Sequence, residues 1–560
     1  MKKLPIGIQS IHKILSKGDY VYVDKTDFIE KLIGEGSPYY FISRPRRFGK
    51  SLFLNTLEEV FKGNKELFKG CAIYNSGYKW EKHPVIYLDF SQIESTTPEE
   101  LENDLKDILQ EIGQSYGLPS PTHSSLKAQL RKLVIGLAKQ NRVVILVDEY
   151  DQPIINHLSK PSIAEKNREV LKRFFSTLKS LDRYLEFGFI TGISKFSHVS
   201  LFSGLNNLND ITMDPKYAGM MGYTDEEVKK HFSEEVKAIA FERGETSEEK
   251  VFEEVKVWYN GYRFSRTPLC VYNPFSTLNF MSKKETAGYW YSTGTPSFLI
   301  DQLKKYPKSM ISLDGTTARK DELTDISSLE KIDLKALMYQ AGYFTVQDYN
   351  PTSKRYYLGL PNKEVRTAFM DSLVEHFTDE VDVRESEKFA KALETYQIDI
   401  LFEHIKTGFS SFPYPVFAGA KEYTYQAMLL SMLYGMGFDL LSERLTNTGR
   451  IDVVLEVEKA TYILELKLDG SSKAALKQIQ EKGYFKPYMH KKKEIAIIGA
   501  NFSSDTRNIS DWEGELLSPS GKTIRPLFKE DSSVLESVQK GLEDAKNGRL
   551  NTIDPKEFDG

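Results

Sequence analysis

The sequence predicts an α/β protein of several domains, and three observations predict it. Short apolar strand candidates alternate with helical stretches over residues 1–215, the pattern of a parallel sheet flanked by helices. Residues 216–325 are mostly helical and aromatic. Residues 405–526 carry a helix, an alternating hairpin and a second helix. At ~150 residues per domain, a chain of 560 residues holds about three to four of them.

Composition excludes several function classes. The chain is 40% hydrophobic and 28% charged, which is globular. Its 75 Lys and Arg against 79 Asp and Glu give a net charge of −4, so bulk basicity cannot carry nucleic-acid binding. The two cysteines, Cys71 and Cys270, exclude a disulfide framework and a multi-cysteine metal site. None of the 9 histidines pairs at i,i+3 or i,i+4 spacing, which argues against a helix-borne zinc site. The start MKKLPIGIQS lacks the apolar stretch of a signal peptide. The apolar stretch Tyr423–Leu441 is broken by Gln426, Ser431, Gly435, Gly437 and Asp439, so it reads as a buried helix and not a membrane span. A soluble, cytoplasmic protein without a membrane partner is expected; a homo-oligomer is compatible with these features.

Strand candidates in the first region are Tyr39–Ser43, Val85–Phe90, Val143–Val147 and Phe187–Ile190. The first runs into Arg44-Pro45-Arg46-Arg47-Phe48-Gly49-Lys50-Ser51 and then the helical stretch Leu52–Val60. Strand, tight loop and a helix opening on Gly-Lys-Ser form a phosphate-binding P-loop, whose N–H groups face an anion. Arg46, Arg47, Gly49, Lys50 and Ser51 would bind ATP, with Lys50 on the β/γ-phosphates and Ser51 on Mg2+. Arg44 stands where the first glycine of that motif belongs, so a basic loop with a helix cap is the bland alternative. Val143–Val147 ends in Asp148-Glu149. Asp148 would hold the Mg2+ water shell and Glu149 would polarise an attacking water. Thr191, Ser194 and Lys195 follow the fourth strand, where a polar γ-phosphate sensor is expected. No arginine finger stands out.

Tyr22–Thr26, the segment SRPRRFGKS at 43–51 and VDEYD at 147–151 resemble the bacterial AAA-ATPase-like domain family, as do Trp258–Tyr262 and Tyr272–Phe275. The resemblance covers roughly residues 1–280, and Arg44 is usual in that family. It implies a P-loop NTPase (AAA-like) domain that binds ATP; it does not imply turnover.

Residues 216–325 would form a helical, lid-like region, and 326–404 a winged-helix-like region with a linker helix. The latter has a helix at Leu334–Gln340, strands at Tyr343–Gln347 and Arg355–Leu358, and a helix after Pro361. The mixed charge of Asn362–Arg366 favours packing over DNA-groove reading.

In the last region, Ile451–Val457 and Thr461–Lys467 read as a hairpin. Side chains alternate along a strand, so Glu465 and Lys467 share a face. A loop of two or four residues pairs Asp452 with Glu465, whereas three residues would turn Asp452 away. The even register is expected. Two carboxylates about 4 Å apart repel by roughly 4 kcal/mol at an effective dielectric near 20. Lys467 and a divalent ion, Mg2+ or Mn2+, would relieve that repulsion and suit phosphodiester hydrolysis. A hairpin with a solvated polar face is the bland alternative. Upstream, Glu422 and Gln426 share one helical face; downstream, Gln478 lies on a helix that leads to Tyr484.

That order resembles the PD-(D/E)XK nuclease superfamily, and residues 405–503 are similar to the nuclease domain found behind AAA-ATPase-like domains. The resemblance implies a restriction-endonuclease-like α/β domain. It assigns Glu422 as an outer carboxylate, Asp452 and Glu465 as metal ligands and Lys467 as the catalytic lysine. Gln478 and Tyr484 would touch substrate or support the site. Eight lysines against four acids over 465–494, with Tyr484, Phe485 and Tyr488 interleaved, would suit a DNA or RNA partner. The preferred reading is an ATP-binding protein with a metal-dependent nuclease, gated or powered by ATP. The alternatives are a nucleotide-dependent interaction switch with an inactive nuclease fold, and a DNA-binding factor. A frayed tail is expected over 527–560.

Overall fold

The computed structural model describes residues 2–119, 124–195, 202, 207–244, 247–291, 316–326, 333–369, 385–411, 417, 422–435, 440–446 and 449–527. They fall into two compact units, Met1–Phe369 and Met370–Gly560. The expected frayed tail beyond Leu527 lies outside the described residues, as does Asn447-Thr448.

In the first unit, β1 (Tyr39–Ser43), β2 (Val85–Asp89), β3 (Val143–Asp148), β4 (Leu185–Gly192) and β5 (Leu208–Asp210) form a sheet in the order β2-β3-β4-β1-β5. Every neighbouring pair is parallel. All of β1 and β3 is buried, as expected of strands covered on both faces. Helix α1 (Lys50–Phe61) follows β1 and buries Phe53, Leu54, Leu57, Val60 and Phe61 on one stripe. Burial of each such side chain contributes about 2 kcal/mol. Strand β4 lies between β1 and β3, with Thr191 beside Ile42 and Ile190 beside Val147. The phosphate loop, Thr191 and Asp148-Glu149 therefore line up along the carboxyl edge of the sheet, where open α/β sheets bind ligands.

The helices Asp225–His231, Ser233–Glu242, Glu248–Tyr259 and Pro274–Lys283 pack with Val21 and Val23 around an apolar cluster of their own. Strands β6 (Thr316–Ala318), β7 (Thr345–Asn350) and β8 (Arg355–Gly359) form an antiparallel sheet in the order β6-β8-β7. The helix Leu334–Ala341, between β6 and β7 in the chain, buries every residue from Ala336 to Ala341. Its Gln340 accepts from Lys195 N at 2.8 Å and donates to Leu323 O at 2.7 Å. Burial of these six residues packs the helix into the first unit.

The second unit contains helix α2 (Glu422–Gly435) and a mixed sheet of β9 (Leu440–Thr446), β10 (Gly449–Glu456), β11 (Ala460–Leu468), β12 (Glu494–Ser503), β13 (Asn508–Leu517) and β14 (Thr523–Leu527). The order is β14-β13-β12-β11-β10-β9. Only β11 and β12 pair in parallel, joined by the crossover helix α3 (Ser472–Lys482). Gly499 of β12 admits α3: a Cβ there would lie 2.2 Å from Ser472 O. One sheet face packs Val454, Ile463 and Ile497 against Leu476 and Ile479 of α3. On the other, Phe402 stacks on Trp512, and Phe409 and Tyr425 meet Phe502. No described helix is long and apolar enough to cross a membrane.

Candidate functional site

The phosphate loop is held by its carbonyls and offers its amides. Lys50 Nζ donates to Arg44 O and Pro45 O, both at 3.0 Å, and the Trp290 indole Nε1 donates to Arg46 O at 3.1 Å. Among the described residues, the backbone N–H groups from Arg46 to Leu52 have no acceptor. The backbone dihedral φ is positive at Arg47 (67°) and at Gly49 (89°) but not at Phe48. Such alternation turns successive N–H groups into an anion-binding nest, here extended by the first turn of α1. Arg44 is not part of that nest. It is 1% exposed, its guanidinium donates to Ser43 O at 2.9 Å and Thr212 O at 2.8 Å, and it stacks 4.2 Å over Phe264. An arginine can occupy the first-glycine position because φ there is not positive.

Burial pulls the Lys50 amine below the usual lysine range, opposed by Glu149, Asp148 and Asp151. Asp148 accepts from Thr191 Oγ1 at 2.6 Å and from Glu149 N at 3.1 Å. Thr191 thus bridges the two halves of the site. Lys195 pairs instead with Asp210 at 2.5 Å, and Ser194 N donates to Asp151 at 2.6 Å. Arg46, Arg47, Gly49, Lys50, Ser51 and Glu149 line a cleft of about 430 Å3. Its far wall contains Tyr22, Met220, Tyr223 and Phe275. This apolar wall escaped the sequence reading, because it is assembled from three distant segments.

In the second unit, Val457 N donates to Ala460 O at 3.0 Å across the two-residue loop Glu458-Lys459. The register pairs Val453 with Leu464 and Glu456 with Thr461. One further residue places Asp452 opposite Glu465 on a shared face, the even register. The backbone ladder stops there. Asp452 Oδ2 accepts from Leu466 N at 2.9 Å, and Gln426 donates to Asp452 O at 2.9 Å. Lys467 Nζ lies 3.4 Å from Glu465 Oε1 and 4.0 Å from Glu422 Oε1. Glu422 also accepts from Leu468 N at 3.1 Å. Gln478 of α3 donates to Glu465 Oε1. Glu422, Asp452, Glu465, Lys467 and Gln478 therefore converge.

Glu465 is 2% exposed, and its Oε2 has no hydrogen-bond partner. Burial, reinforced by Asp452 and opposed by Lys467, pushes its carboxyl up to about 8. A buried acceptor without a donor is costly, and a cation there would satisfy it.

The basic, aromatic surface is corrected by the structure. Tyr484 and Tyr488 are buried in the core under α3, so neither can stack on a base. Lys491 pairs with Glu456, and Lys493 donates to Val457 O at 2.9 Å. Both sit at the hairpin tip, about 13 Å along β10 from Asp452 at ~3.3 Å per residue. Lys473, Lys477, Lys482 and Lys486 are exposed.

Residues 5–202 match the family described as predicted AAA-ATPase, and residues 420–512 match the PD-(D/E)XK nuclease superfamily. The chain is 36% identical over 528 residues to an Azotobacter chroococcum mcd 1 protein known as the uncharacterized protein in the vnfD 5'region. That similarity covers 92% of this chain and 99% of the relative. The chain belongs to the family in which a predicted AAA-ATPase domain precedes a PD-(D/E)XK nuclease superfamily domain.

Proposed function

We propose that the chain binds ATP and hydrolyses phosphodiester bonds of DNA or RNA with its C-terminal domain, using Mg2+ or Mn2+. The observation that carries the nuclease reading is the buried Glu465 carboxyl, with one unpartnered oxygen, facing Asp452 across the hairpin. Among the described residues no three His, Cys, Asp or Glu side chains form a metal cluster. Mg2+ fits a two-carboxylate site, because it keeps several waters and needs only one or two carboxylates. Bound there, the ion would supply water activation and charge stabilisation at phosphorus. Asp452 and Glu465 would hold it, and Gln478 fixes the rotamer of Glu465. Lys467, steered by Glu422, neutralises charge developing on the phosphate. On the nucleotide side, the amide nest and Lys50 would bind the phosphates, Ser51 and Asp148 would hold Mg2+, and Glu149 would orient water.

Asp452→Ala and Lys467→Ala should each lower Mg2+-dependent cleavage of labelled DNA or RNA by at least about a hundredfold. Chelation of the metal should abolish it. Wild-type cleavage in both variants would refute the reading.

A further inference from the structure

We infer that Trp290 is a positioning residue for nucleotide phosphates, acting through the Arg46–Arg47 peptide and held in place by Glu364. The inference rests on the ATP-binding reading above. In a trans peptide the C=O and the next N–H point in opposite directions. The Trp290 indole bond to Arg46 O therefore aims the Arg47 N–H away from Trp290. That N–H is one of the amides without an acceptor among the described residues, and Arg47 lines the cleft.

The bond also has a conformation to stabilise. Arg47 adopts φ 67°, a region unfavourable for any residue with a Cβ. Without a tether on its preceding carbonyl, this peptide can flip to φ below zero and turn its N–H out of the nest. Trp290 itself is 5% exposed. Its ring lies against Tyr343 and Tyr262, with centroids at 5.4 and 6.5 Å. Tyr262 in turn packs edge-on against Phe48 of the loop at 4.8 Å. The Trp290 backbone N donates to Glu364 Oε1 at 2.7 Å, and the same oxygen accepts from Ser276 Oγ at 2.9 Å. Glu364 is fully buried, which fixes where the indole stands. The chain Glu364, Trp290, Arg46 thus links the segment after β8 to the phosphate loop.

The test is calorimetric titration of the full chain with ATP and with adenosine. Trp290→Phe keeps an aromatic side chain and removes the N–H donor together with one of the two fused rings. It should weaken ATP binding about five- to tenfold, the effect of one hydrogen bond, and leave adenosine binding unchanged. The same substitution in an Arg47→Gly background should have a smaller effect, because glycine adopts positive φ without a tether. Equal ATP affinity in Trp290→Phe and wild type overturns the inference, and so does a parallel loss for adenosine. Failure of the wild-type chain to bind ATP overturns the nucleotide reading and this inference with it. If Trp290→Phe does not fold, 19F resonances of the 5-fluorotryptophan-labelled wild type decide, with Trp290 assigned by elimination. Its signal should shift with ATP and not with adenosine; an unmoved signal overturns the inference.

Discussion

Arg44 shows how one side chain can mislead and instruct. Read from the motif it is a missing glycine; in the fold it is a buried strut across Ser43, Thr212 and Phe264. Arg44→Gly, which restores the usual motif, should therefore destabilise the first unit by about 3 kcal/mol, because two buried carbonyls lose a charged donor. Urea unfolding measures this; unchanged stability with weaker ATP binding would instead place Arg44 on the phosphates. Two buried carboxyls also set a pH dependence. Burial raises Asp151 from 3.8 to about 7, and Glu364 from 4.5 to about 7. Below pH ~4 both folded and unfolded chains hold these protons. Between there and about 7 the unfolded chain releases them first, so these groups contribute stability that falls as pH rises through this window. Glu364→Gln should flatten that fall in a series of thermal melts from pH 4.5 to 7. Neither carboxyl's burial was legible in the sequence, since it depends on partners such as Ser276, 88 residues away from Glu364.

At the scale of elements, what repeats locally was legible and what pairs at a distance was not. The P-loop strand and helix follow from the apolar run Tyr39–Ile42 and a Gly-Lys-Ser start. The face shared by Glu465 and Lys467 follows from strand alternation. Strands β9 and β12 to β14 were missed, and the helix expected over Tyr423–Leu441 ends at Gly435, with Leu440 and Leu441 in β9. Glu494–Ser503 is apolar almost throughout, so it carries no period that separates strand from helix. Yet β12 positions the site, because α3 rests on Gly499 and carries Gln478 to Glu465. Gly499→Ala should force α3 outward, cost about 1–3 kcal/mol in denaturant stability and reduce cleavage as Gln478 withdraws. A stable, fully active Gly499→Ala chain would show that α3 placement is irrelevant to the carboxylates.

Over the whole molecule, the net charge of −4 hides local polarity. Arg46, Arg47 and Lys50 crowd the phosphate loop and the start of α1 in the first unit, and in the second three exposed lysines lie on α3 with Lys486 just beyond it. If ATP gates the nuclease, cleavage by the wild-type chain should respond to ATP and cleavage by Lys50→Ala should not, with its metal-dependent basal rate retained. An equal ATP response in both would remove this loop from control. Over generations, the tight loop Glu458-Lys459 makes tolerance of length change a matter of parity. One codon gained or lost between Asp452 and the loop moves the aspartate to the opposite sheet face and should abolish the proposed metal-dependent cleavage. Paired codons added at the loop leave both carboxylates facing each other. Functional descendants of this hairpin should differ in length by even numbers of residues.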